Sequence, residues 1–475
     1  MSAVGDAPEL QLDAPREEVL QRAASLITQA WNSFDQARPG QPTVDDDLRA
    51  VLREPLPDAP EPVTRALEEA AQILDESIAQ PRPRYFAFVG SSGLPIGVVG
   101  DALASCFDAN LAVYAGAASD IEEQAVRWVG ELVGYPVGGG AFTSGGTISN
   151  LTALAAARER ALPGARAEGM GGRRAAVYCS AEAHYSVMRA AELLGIGAAN
   201  VRPIGLDGDR RMLPGELAET LDRDRAAGVT PVAVIATAGT TLTGAVDPIA
   251  PLAALCRERG VWLHVDGAYG LAAACLPETG ALFAGLDQAD SVSLDAHKWL
   301  YLPKACGVIL VRKREDLHHS FAHDEGYLPH ERHEPHAVDV TLEYSRPFRA
   351  LKAWLAFRAH GAKQFRDAIA KNLDEAEFLY RHAQATEDFE VMEAPPQLSI
   401  TPIRHMPGGV VPNPHNQALA DAIQSDGRVY LASALIDGDV WLRPCFVNFR
   451  TTEDDVLALM DVARALGERL ARDGI

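Results

Sequence analysis

Lys298, in the segment Asp295-Ala296-His297-Lys298-Trp299, stands at the end of an apolar run. A lysine at a strand end has its stem buried and its amine at a cleft, where desolvation lowers its pKa and frees a nucleophilic amine. A surface lysine in a turn is the plain alternative. Thirty-two residues earlier, Asp266 closes a second apolar run in His264-Val265-Asp266-Gly267-Ala268-Tyr269. Such a carboxylate commonly serves as a metal ligand, an ion-pair partner or a helix cap. Beside a Schiff-base lysine it has a more specific use: it can hold a pyridine nitrogen protonated, which makes pyridoxal phosphate an electron sink. Residues 142–150, FTSGGTISN, open a long Ala- and Leu-rich helical stretch. Glycines there let backbone N–H groups approach an anion, a helix N-terminus adds favourable partial charge, and Thr147 offers a hydroxyl. The same stretch also reads as a tight turn with an N-cap. It is neither a GxGxxG dinucleotide fingerprint nor a Walker loop. His184, in AHYS, and Thr240-Thr241, in AGTT, complete the set. A strand-end histidine is either a satisfied structural residue or a flat ring stacked over a cofactor.

These residues need a scaffold that brings strand ends together. Between residues 97 and 306, short β-branched runs (AAVYCS, VAVIATA, VWLHVD and DSVSLD) alternate with helical stretches, and GVILVR follows. Buried strands separated by helices indicate βαβ units and a mostly parallel sheet, and chemistry in such sheets gathers at the carboxyl ends of the strands. The polar segments fall there. Ahead of this region, Val19, Leu20, Ala23, Leu26, Ile27, Ala30, Trp31 and Phe34 recur at helical spacing, and a second amphipathic helix is expected near residues 63–78. Both helices need a cover for their apolar faces. A long helical region to about Ala383, short strands and a last helix over 454–471 close the chain as a small α+β domain.

The 475 residues carry 43 Lys and Arg against 65 Asp and Glu, a formal charge of −22. A field of that sign repels nucleic-acid phosphates and anionic lipid surfaces. No apolar stretch is long enough to span a bilayer, and the acidic first residues do not resemble a secretory leader. Six scattered cysteines without a CxxC suit a reducing cytoplasm and form neither a zinc cluster nor a disulfide framework. Six of the 13 histidines lie between His318 and His336, but without an HExxH pattern in a stretch rich in Pro and charge, so an exposed loop is expected and no metal.

The order of PRPRYFAF, TSGGTISN, AHYS, ATAGTT, HVDGAYG, DAHKWL, SRPFRALKAW and LRPCFVNFRTTEDDV resembles the group II pyridoxal-phosphate-dependent amino acid decarboxylases, the glutamate and aromatic amino acid decarboxylase group. The resemblance runs from about Pro81 to the end. It implies the α/β, fold-type I, aminotransferase-like architecture: residues 1–90 as an N-terminal helical segment interlocking a dimer, 91–384 as the large cofactor-binding domain and 385–475 as the small domain. It further implies Lys298 as the Schiff-base lysine, Asp266 on the pyridine nitrogen, and His184 and Ala268 on either side of the ring. Gly146 and Thr147 would take the phosphate, Thr240 would stand near the ring substituents and His297 beside the lysine. Tyr327, 29 residues after Lys298, falls where the family's mobile loop carries the tyrosine that delivers a proton to Cα. Relatives that form aldehydes by oxidative deamination carry Phe there, so Tyr327 favours plain decarboxylation. The expected assembly is a homodimer with its site at the interface.

Two departures stand out: Gly267 replaces the usual Ala, and Asp295 replaces an Asn that several relatives place near the phosphate, so Asp295 is left out of the phosphate shell. Tyr85-Phe86-Ala87-Phe88 is similar to the aromatic-lined patch of aromatic-specific relatives, with Ser91 the nearest group for the departing carboxylate. Arg84 and Arg443 keep an acidic substrate open as the alternative.

Overall fold

The computed structural model describes residues 12–35, 42, 44–90, 92–323 and 336–474. A seven-stranded sheet is built from β1 (Gly139–Thr143), β2 (Ala175–Ser180), β3 (Val201–Ile204), β4 (Thr230–Thr237), β5 (Trp262–Asp266), β6 (Ser291–Asp295) and β7 (Gly307–Val311). Their spatial order is 1-7-6-5-4-2-3, and only β7 runs against the rest. The architecture is α/β with a mostly parallel sheet, as the alternation of runs and helical stretches implies. Every residue of β2, β5, β6 and β7 is buried, which explains why these strands read as continuous rather than alternating apolar runs.

A second, antiparallel sheet follows, in the order 10-11-9-8, from β8 (Phe389–Val391), β9 (Ile403–His405), β10 (Ser433–Ile436) and β11 (Asp439–Leu442). The helices Pro412–Asp426 and Glu453–Arg472 pack with it around Leu419, Ile423, Leu459 and Met460. The last helix starts with a capping box between Thr452 and Asp455. The three-part division of the chain stays a proposal. Phe86 from the N-terminal part, and Ala376, Leu379 and Ala383 from the long helix, belong to the small domain's apolar core.

The long helical region spans Ala350–Gln384, but it is two helices joined at Gly361, whose φ of 66° only glycine adopts without strain. The N-terminal helices Arg16–Phe34 and Val63–Asp75 form where the periodicity places them, yet neither buries a single residue.

Candidate active site

The carboxyl ends of β4, β5 and β6, the turn after β2 and the start of the helix Gly146–Ala161 surround a cavity of about 450 Å³. Gly146, Thr147, His184, Asp266, Ala268, His297 and Lys298 all line it. Thr240 does not: its hydroxyl meets that of Thr243 at 3.1 Å, while Thr237 and Thr241 reach the cavity. Gly239, at a φ of 102°, turns the chain between them. Tyr327 and Ser91 lie outside the described residues, as do His330 and His333.

Lys298 sits in the short helical turn Ala296–Trp299 directly after β6. That turn is pinned from behind: Trp299 stacks on Tyr269 with ring centroids 5.3 Å apart, and its indole N–H donates to Asn372 Oδ1 at 3.0 Å. Lys298 Nζ lies 3.0 Å from Asp295 Oδ2. His297 accepts the Cys306 backbone N–H at Nδ1 and sets Nε2 3.8 Å from the same carboxylate oxygen. Burial lowers the His297 pKa, against the pull of Asp295.

Asp266, 5% exposed, accepts from Asn150 Nδ2 at 2.8 Å and the Ala268 backbone N–H at 3.1 Å, while Ser293 Oγ, 3.2 Å away, shares its single hydrogen with Asn150 Oδ1 at 2.9 Å. Its aim is thereby fixed. His184 accepts at Nδ1 from the Ser186 hydroxyl, 2.9 Å away, and from the Ser186 backbone N–H at 3.3 Å. Burial depresses its pKa more than Asp266 raises it, which favours the neutral ring.

The anion cradle is equally specific. A Cβ on Gly146 would lie 2.9 Å from Ala268 Cβ and 3.0 Å from Asp295 Oδ2, so only glycine leaves this space open. The strand leading into it is anchored by a buried pair that sequence reasoning missed: Arg346 forks onto both oxygens of Glu122 at 2.7 and 2.9 Å. The same two residues hold the backbone of Phe142 on β1, through its carbonyl at 2.6 Å and its N–H at 3.0 Å. The SRPF motif was visible, but Glu122, 224 residues away, carried no signal.

An amine, a carboxylate braced by its neighbours with acceptor capacity to spare, an imidazole held by Ser186 and a glycine-lined helix N-terminus form a donor set that fits pyridoxal phosphate. One feature opposes it: Asp295, at the cradle and 4% exposed, has an oxygen without a hydrogen-bond partner among the described residues.

The Pyridoxal-dependent decarboxylase conserved domain matches residues 46–401. The chain is 34% identical over 480 residues to an aromatic-L-amino-acid decarboxylase of Bacillus atrophaeus, covering 97% of this chain and 98% of that one. It is 31% identical over 370 residues to an acidic amino acid decarboxylase of Bos taurus, covering 75% of this chain and 70% of the relative. Its fold matches the crystal structure of Oryza sativa TDC with PLP and tryptamine at a TM-score of 0.90 and 26% identity, over 96% of this chain and 98% of that one. The chain belongs to the pyridoxal-dependent decarboxylase family. It is a pyridoxal-phosphate-dependent amino acid decarboxylase.

Proposed function

We propose that this enzyme decarboxylates an aromatic L-amino acid, releasing CO₂ and the amine. The observation that carries the substrate class is the cavity wall formed by Phe88 and Val89 beside Tyr269. Phe88 is held at a φ of 55° and is 56% exposed, an apolar residue that lines the cavity and is not buried in the core. Flat substrates gain ~0.5–1.5 kcal/mol per ring pair beyond area burial. An acidic substrate would need a free guanidinium. Arg84 is bound 2.8 Å from Asp455 and does not line the cavity. Arg443 lines it and gives one N–H to the Thr241 carbonyl at 2.9 Å. It occurs in aromatic-specific relatives too, so it favours neither class.

Pyridoxal phosphate, when bound, supplies the ring that takes up the electrons left by CO₂. The protein does the rest. Lys298 would supply the amine that tethers the cofactor. Asp266 would offer an aimed carboxylate to the pyridine nitrogen, and Gly146 and Thr147 would hold the phosphate. His184 and Ala268 would hold the ring, with His297 beside the lysine. Tyr327 would return a proton to Cα, and Tyr327→Phe should divert turnover, with dissolved O₂ as the two-electron oxidant and water as the hydrolytic partner, toward aldehyde, CO₂, ammonia and peroxide.

The working unit in this reading is a homodimer with the site at the interface. Unburied N-terminal helices, and Phe107 at 81% exposure beside Val99 and Leu103, support it. A sedimentation mass of one chain would exclude it. No described helix is long and apolar enough to cross a membrane, and all six cysteines are free, which supports a cytoplasmic, reducing location. The substrate test is a panel of amino acids scored for CO₂ release. The aromatic reading requires an aromatic substrate to lead, and a preference for glutamate or aspartate above ~10-fold in kcat/KM, ~1.4 kcal/mol, overturns it.

A further inference from the structure

Asn150, on the helix Gly146–Ala161, fills its hydrogen-bonding positions with groups from three other elements. Its carbonyl oxygen lies 3.0 Å from His264 Nε2 and 2.9 Å from Ser293 Oγ. Its amide nitrogen donates to Asp266 Oδ2 at 2.8 Å and to Ser186 Oγ at 2.9 Å. Exchanging oxygen and nitrogen would set an acceptor against the Asp266 carboxylate, so the orientation is fixed.

The line begins upstream. Trp262 Nε1 has only a hydrogen to give and gives it to Ser291 Oγ at 2.9 Å. The Ser291 hydroxyl then donates to His264 Nδ1 at 2.8 Å, which leaves the imidazole hydrogen on Nε2, toward Asn150. His264 is wholly buried and its pKa is pushed down to about 4, so the ring stays neutral and keeps this tautomer. Residues 262, 264 and 266 of β5 and 291 and 293 of β6 share one sheet face because strand side chains alternate. Downstream the line divides. One branch ends on Asp266. In the other, Ser186, having accepted from Asn150, donates its hydroxyl to His184 Nδ1, which leaves the His184 hydrogen on Nε2.

We infer that Asn150 is a positioning residue that aims the Asp266 carboxylate and, through the Ser186 hydroxyl, braces the His184 tautomer that the Ser186 backbone N–H also holds, coupling the group for the pyridine nitrogen to the ring assigned to lie over the cofactor. This rests on the cofactor placement given above and not on the choice of substrate.

The test uses the full chain stripped of cofactor and titrated with pyridoxal phosphate, without substrate. Asn150→Ala should bind it ~10-fold or more weakly, the effect of losing a buried hydrogen bond to a charged group, and should change the visible absorbance band and its pH dependence. Ser186→Ala, which cuts only the His184 branch, should weaken binding less. An Asn150→Ala protein that folds, binds within ~2-fold of the parent and keeps its spectrum from pH 6 to 9 overturns the inference. Should that variant fail to fold, ¹⁵N NMR of the cofactor-free parent protein decides. Both His184 and His264 are expected to carry hydrogen on Nε2, and hydrogen on Nδ1 of either overturns it. Wrong substrate specificity would leave all these readouts unmoved, so the two failures are distinguishable.

Discussion

Asp266 and Asp295 end two neighbouring parallel strands, both are buried, and their surroundings differ sharply. Asp266 accepts from donors on the helix Gly146–Ala161 and in its own turn, and the Ser293 hydroxyl of β6 divides its one hydrogen between Asp266 and Asn150. Asp295 faces Lys298 through one oxygen and leaves the other without a hydrogen-bond partner among the described residues. The first is a carboxylate whose geometry is complete before any ligand arrives, as preorganised electrostatic catalysis requires. The second is a charge balanced at 3.0 Å by Lys298, the amine that the proposed reaction would engage. Strand ends offer the same positions to both, and the helix packed across them decides which carboxylate is braced.

Removing the amine is the severest way to break this comparison. Lys298→Ala should cost at least ~10³-fold in turnover, since nucleophile deletions typically remove most of an enzyme's chemistry. The protein should still fold, because the turn is held by the Trp299 contacts and not by the lysine. Borohydride should no longer fix the cofactor to the chain. A near-normal rate would end the assignment.

Asp266→Asn keeps the shape and removes the charge. Losing a charge-assisted buried bond of ~2–4 kcal/mol predicts a fall of about 30- to 1000-fold in kcat. Unchanged kinetics at full cofactor content would show that the braced carboxylate has no part in the reaction.

Glu375 carries the contrast away from the cofactor. It is 2% exposed, accepts from Asn372 Nδ2 at 2.9 Å and stands 3.2 Å from Lys371 Nζ. Burial outweighs these partners and raises its pKa to about 7. The folded state therefore binds a proton more tightly than the unfolded chain, so this contribution to stability is full below about pH 4.5 and lost as pH rises toward 7. The loss is roughly 2–3 kcal/mol. Glu375→Gln should flatten that part of the curve of Tm against pH, and a curve parallel to that of the unmodified protein would refute the assignment.

Much of this was legible because buried strands leave a strong mark. The runs at 175–180, 232–238, 261–266, 290–295 and 307–312 coincide with β2, β4, β5, β6 and β7 within two residues. Motif order then brought Lys298, Asp266, His184, Gly146, Thr147, Ala268 and His297 to one cavity. Thr240 does not line that cavity for a local reason: the turn at Gly239 sets which of two adjacent threonines reaches the cleft, and no periodicity survives such a turn. Asn150 and His264 were in plain view inside quoted motifs, but their partners on β6 and after β2 are set only by tertiary packing. The helix break at Gly361 was invisible because one glycine in a helical pattern is usually tolerated.

The finest test of the comparison is Asp295→Asn. Asp295 Oδ2 lies 3.0 Å from where a Cβ on Gly146 would stand, so its charge sits at the mouth of the anion cradle. His297 and Lys298 face it from its own turn, and its field also reaches His184, Lys304 and Cys306. The lysine offsets that charge only while its amine is free. Asparagine would keep the shape, remove the repulsion toward a phosphate and offer an N–H in its place. Even at the dielectric of bulk water, ~80, one charge about 4 Å away is worth ~1 kcal/mol, so pyridoxal phosphate should bind at least about 5-fold tighter. Equilibrium titration of the cofactor-free variant measures this directly. Unchanged or weaker binding would mean that the Asp295 carboxylate turns away from the cradle once the cofactor is held, and the two strand ends would then differ in mobility rather than in charge.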